Sequence, residues 1–176
     1  MDMTVVGGYS VEFVKTPTVS TSPAYTAGDQ VGGIMDLSVR DNRNVVTQGA
    51  CQEKNAVATL LSVAVHDKAS QSAELVIFFF NALPTVASSD NSALTITDAE
   101  MAAKCLGSVT VPASAYATVA SSSMAVLKLP DCALAMLSNE DNGPLYAVMK
   151  TTGTPTYAST SDLTLRFLFG QDGTTL

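Results

Sequence analysis

The amino-acid sequence predicts an all-β protein, a jelly-roll-like β-sandwich with one short helix. Three observations predict it. Short apolar segments, several with strict alternation, recur along the 176 residues; Gly, Pro, Asn and Asp punctuate them; and only one stretch carries helix start and stop signals.

The opening residues 1–23 mix Gly, Thr, Ser and Pro around the short alternating run VEFVKT, in which Val11, Phe13 and Lys15 share one face. This reads as a weak strand or a tethered arm, so the expected division is an arm over 1–23 and a sandwich over 24–176. SPAYTAGDQVGG then supplies turn chemistry, with glycines where φ can be positive, and predicts a strand over 34–39. After the polar stretch RDNRNVVTQGACQEKN, Val57, Thr59, Leu61, Val63 and Val65 alternate as a strand does. HDKASQS reads as a hairpin loop leading into the return strand over 73–80.

That return strand contains LVIFFF, six apolar residues in a row, three of them phenylalanine. Unbroken apolar character predicts a central strand covered on both faces, the outer one by a loop, an arm or a neighbouring subunit. Asn81 to Pro84 end it. In TITDAEMAAKCLG, Thr97 or Asp98 can cap a helix over 98–104, Glu100 suits its first turn, and Gly107 is the expected stop. Four further strand-like segments follow, GSVTVPASAY, SSSMAVLKLP, LYAVMKTTG and DLTLRFLFG, which makes roughly eight strands in all.

Composition limits the function classes. Charged residues are 14% of the chain against 47% hydrophobic, so Ser, Thr and Ala cover most of the surface, as suits a β-rich structural protein. Nine basic residues against sixteen acidic ones give a net charge of −7, the wrong sign for a nucleic-acid partner. MDMTVVGGYS has neither a basic nor an apolar signal region, so no cleaved export signal is expected. The run at 75–80 falls far short of the ~20 residues of a membrane helix, so no membrane partner is expected. Cys51, Cys105 and Cys132 are odd in number and widely separated, which predicts free thiols in a reducing compartment and no metal site.

No catalytic constellation emerges, and neither enzymatic activity nor a cofactor is expected. His66, the single histidine, sits in ordinary hairpin composition beside Asp67 and Lys68 and reads as a solvated turn residue, not a general base. The acids at Asp90, at Asp98 and Glu100, and at Glu140 and Asp141 read as turn residues, since NEDNG matches only a fragment of a calcium loop. A glycosidase pair stays open at this level, because two carboxylates need only meet in space. Tyr9, Tyr25, Tyr116, Tyr146 and Tyr157 fit half-buried strand positions, or less readily a carbohydrate groove in a chain without tryptophan.

Four segments taken together carry a family resemblance: AYTAGDQVGG, AELVIFFFNALPT, DNSALTITDAEMAAKCLGSVTV and LYAVMKTTGTPTYASTSDLTLRFLFGQD. In this order they resemble small proteins encoded among the structural genes of tailed bacteriophages, over residues 24–172, with PTYASTSDLTLRF the most specific. The resemblance implies a virion component, best matched to a capsid decoration (cement) protein that stabilises the outer capsid surface. It further implies the major capsid protein as partner, a homotrimer, a location on the virion after synthesis in the host cytoplasm, and no catalytic residues. Residues 1–23 and RDNRNVVTQGACQEKN fall outside it. A tail or baseplate component and a carbohydrate-binding domain are the alternatives.

Overall fold

A computed structural model describes residues 9–40, 46–49, 58–129 and 145–171. Ten strands lie among them. In chain order they are β1 (Tyr9–Lys15), β2 (Met35–Arg40), β3 (Val46–Gly49), β4 (Ala58–Asp67), β5 (Leu75–Phe80), β6 (Cys105–Val111), β7 (Tyr116–Val119), β8 (Ser122–Lys128), β9 (Leu145–Thr151) and β10 (Leu163–Gln171). One helix, α1 (Asp98–Lys104), precedes β6.

The strands form two five-stranded antiparallel sheets, β1-β10-β4-β8-β7 and β3-β2-β9-β5-β6. With the edge strands β3 and β7 set aside, each sheet keeps four strands, and the chain changes sheet at every step except β5 to β6. That is the double Greek key of a jelly roll, the fold class expected.

Alternation drives the packing. Leu60, Val63 and Val65 of β4, Leu75, Ile77 and Phe79 of β5, and Leu165, Phe167 and Phe169 of β10 are fully buried in one core between the sheets. A smaller cluster lies on the outer face of the second sheet. There Phe80, Tyr146 and Val148 are covered by Val86, Leu94, Ile96 and Met101 from the connection between β5 and β6 and by Cys105 at the start of β6. The apolar run LVIFFF is therefore an interior strand, fully buried on its inner face; its outer face is half-buried at Val76 and Phe78 and buried at Phe80, under the chain's own loop and helix.

Three details differ from the sequence reading. β4 and β5 do not form a hairpin, because they belong to different sheets and β5 pairs with β6 and β9. The Asp67 carboxylate accepts hydrogen bonds from the backbone N–H groups of Ala69 and Ser72, at 3.0 and 2.8 Å, and Ser70 and Ser72 take positive φ, which turns the chain across to the other sheet. From Tyr9 onward the segment expected as an arm carries sandwich structure: β1 pairs with β10 over seven residues, and Val11, Phe13 and Val19 enter the common core. The alternating side chains of β1 bury too much apolar surface to stay apart from the sheet. Lastly, α1 ends at Lys104, with Cys105 already extended, while Gly107 lies inside β6 near a shift of register opposite Phe79 and Phe80.

The expected Thr97 cap forms, its hydroxyl accepting from the Glu100 N–H at 3.2 Å. Of the turn glycines, Gly32 is the one most tightly required. Its φ is +69°, and a Cβ there would stand 2.6 Å from the Pro17 Cβ.

Candidate interaction surface

The acids nominated as turn residues act as braces. Asp90 Oδ1 accepts from the Tyr25 hydroxyl at 2.7 Å and from the Gly32 N–H at 2.6 Å, which ties the β5–β6 connection to the segment before β2. Burial, then the bond to Asp90, pushes the Tyr25 hydroxyl well above the usual tyrosine range. Glu100 accepts from the Thr85 N–H at 3.0 Å and pairs with Lys104 at 2.8 Å; Lys104, then the Thr85 N–H, holds its carboxyl below the usual value. Asp98 stands in the first turn of α1, where its charge suits the helix dipole. Glu140 and Asp141 lie outside the described residues, as do Cys51 and Cys132.

The structure brings together two acids that the sequence reading did not pair. Asp67 and Asp162, 1% and 6% exposed, close neighbouring connections: Asp67 holds the β4–β5 turn, and Asp162 accepts from the Ala158 and Ser159 N–H groups at 2.8 Å each. Burial raises the Asp67 carboxyl above its ordinary value, and Asp162 adds to the rise. Both acids are engaged by backbone donors and shut away from solvent, so they offer nothing to a polymeric substrate. Nothing in the local sequence announced the pairing, since the two acids are distant in the chain.

The tyrosines form no groove among the described residues. Tyr25 and Tyr157 are buried edge to face, with ring centroids 5.7 Å apart; Tyr116 is half-buried beside the core, and Tyr146 belongs to the outer cluster of the second sheet. The Tyr157 hydroxyl is buried with no hydrogen-bond partner among the described residues, and desolvation pushes it far up. His66 is half-buried in β4, not in a turn, on the outer face of the first sheet opposite Thr164 and Met124. An open groove of about 370 Å³ between the end of β1 and the start of β2 has Lys15 and Asp36 on its walls among Thr, Pro and Gly. No cluster of three or more potential metal ligands forms among the described residues.

What remains is surface, and the two sheets differ. The outer face of the second is covered by the β5–β6 connection over Phe80, Tyr146 and Val148. The first presents Val14, Leu61, Val119, Met124 and Val126 to solvent, each at least 40% exposed. Register sets these side chains in rows across the strands. One row runs Glu12, Leu168, Ser62, Lys128; the next runs Val14, Arg166, Ala64, Val126; a third runs Thr164, His66, Met124, Ala117. Glu12 and Arg166 form an exposed pair at 3.5 Å. Exposed apolar side chains gathered on one sheet face mark a contact surface in many folded proteins.

No family model and no curated protein matches the chain. Among solved structures it is similar to a chain of turnip yellow mosaic virus, at 13% identity and a TM-score of 0.31, covering 100% of this chain and 86% of that one. It is also similar to a chain of the full particle of Israeli acute paralysis virus heated to 63 degrees, at 10% identity and a TM-score of 0.29, covering 94% and 68%. Likenesses of this strength carry no argument; the jelly roll rests on the strand order. No helix among the described residues is long and apolar enough to cross a membrane.

Proposed function

We propose that this chain is a structural component of a virion, a capsid decoration (cement) protein that binds the outer surface of the assembled shell and stabilises it without enzymatic activity. One observation carries the reading: the acids of the jelly roll close its own connections, while a sheet face with exposed valines, Leu61 and Met124 among its polar residues stays open. Such a molecule is built for rigidity and contact. The order of the four segments over residues 24–172, similar to tailed-phage structural proteins, supports the virion setting. The major capsid protein is the proposed partner. A homotrimer on a symmetric site would add several weak contacts through avidity. The arm expected over 1–23 is the proposed clasp on capsid or neighbour; since β1 pairs within the sandwich, residues 1–8, which lie outside the described residues, are the part left to serve it.

The experiment is to add purified protein to particles lacking it and to measure binding and heat-induced rupture, with a form lacking residues 2–8 alongside. Binding to shells with a higher rupture temperature is expected. Association with tails alone, or with no part of the particle, would overturn the reading. Equal protection by the shortened form would overturn only the clasp.

A further inference from the structure

We infer that the outer face of the first sheet pairs with the same face of a second copy, about a two-fold axis lying parallel to the strands and midway between β10 and β4. The inference stands on the register of the face and does not rest on the virion reading.

An axis so placed lays β1 of one copy over β8 of the other, and β10 over β4, while every row stays opposite its own row. Glu12 then faces Lys128 of the second copy, Val14 faces Val126, Arg166 faces Ala64, and Leu168 faces Ser62. Opposite charges meet, two exposed valines meet, and the longest side chain of the face stands over one of its smallest. Because the contact is isologous, each pairing occurs twice. Turning the axis perpendicular to the strands instead would set Glu12 over Thr16 and Lys128 over Met124, and no opposite charges would meet. Sheets that pack in alignment stand ~10 Å apart, a gap that Glu and Lys side chains reaching from both sides can span.

Charge distribution permits this approach. Two copies at −7 each repel, yet this face holds Arg166 and Lys128 against the single carboxylate of Glu12. Like-charge repulsion between copies is therefore small across it. The size of the face sets the strength. The four strands that face one another, β1, β10, β4 and β8, about 4.8 Å apart and about 20 Å long, project an area of about 400 Å². That is below the roughly 800 Å² per partner of stable complexes, so the pair should be weak and concentration-dependent. The pair occupies the face that the proposed function leaves open to a shell, so it forms between copies that are not bound to a shell through that face.

Sedimentation equilibrium of the full chain over a wide concentration range tests the inference. The parent should show a monomer–dimer equilibrium. Lys128→Glu, which sets Glu against Glu12 of the second copy, should weaken dimerisation about tenfold or more, and Glu12→Lys should do the same. The double swap Glu12→Lys/Lys128→Glu should recover most of the loss, which a merely unfolded variant could not do. Circular dichroism checks that each exposed substitution leaves the fold intact. A parent that is monomeric at every concentration would overturn the pairing. So would self-association that none of the three variants changes, or a double swap no better than the worse single one.

Discussion

The ring of Phe79, on β5 of the second sheet, stands at 90° to the ring of Phe167, on β10 of the first, with centroids 5.8 Å apart. Both side chains are fully buried, and the edge-to-face contact joins the two layers at the centre of the core. Phe79→Ala should cost about 3–5 kcal/mol, because it removes a large packed group and leaves a void under Phe167. Phe78→Ala, on the half-buried outer side beneath Lys150, should cost less. Urea denaturation midpoints measure both. Equal losses would mean that the inner and outer faces of β5 are packed alike.

At Gly32, positive φ coincides with contact against Pro17. Gly32→Ala should therefore lose about 1–2 kcal/mol from backbone strain alone, with a further loss from the collision. Gly28 has φ of +97° but open space around its missing Cβ, so Gly28→Ala isolates the strain. Thermal denaturation of the two variants should rank Gly32→Ala as the less stable.

The Asp90 carboxylate joins Tyr25 and Gly32 across 65 and 58 residues of chain. Asp90→Ala leaves a hydroxyl and an N–H without their acceptor, at a cost of about 1–3 kcal/mol. Tyr25→Phe keeps the Gly32 bond but removes the acceptor of the Ser20 N–H at 2.7 Å, so the backbone at Gly32 tells the two variants apart. Faster amide exchange around Gly32 in Asp90→Ala, but little change there in Tyr25→Phe, is the expected pattern.

Asp67 should give stability an unusual pH slope. Its carboxyl is raised in the folded state above the ordinary 3.8, with burial the largest cause, so the native protein holds the proton more tightly than the unfolded chain does. This contribution is fully present below the unfolded value and is lost as pH rises from about 3.8 through the raised folded value. Glu100, lowered in the folded state, acts in the opposite sense: its contribution is present above its ordinary 4.5 and is lost as pH falls through the folded value. Denaturation midpoints of the parent and Asp67→Asn, compared at intervals upward from pH 3, separate the two. The parent should lose stability relative to the variant as pH rises through that window; a constant difference would refute the Asp67 contribution.

Local pattern determined much of this protein. The alternation of β4, the Thr97 cap of α1, the turn glycines and the strand character of LVIFFF depend on near neighbours in the chain, and the all-β class follows from their sum. Partner choice was decided by the tertiary structure. HDKASQS has the composition of a hairpin loop, but the apolar inner faces of β4 and β5 gain more by closing a core from opposite sheets, so the turn becomes a crossover. Likewise Asp162 joins Asp67, and Glu12 comes to share a row with Lys128, only because strands distant in sequence lie side by side. Periodicity reports which way a side chain points; which residues it meets there depends on long-range pairing, whose free energy is shared across the whole sandwich.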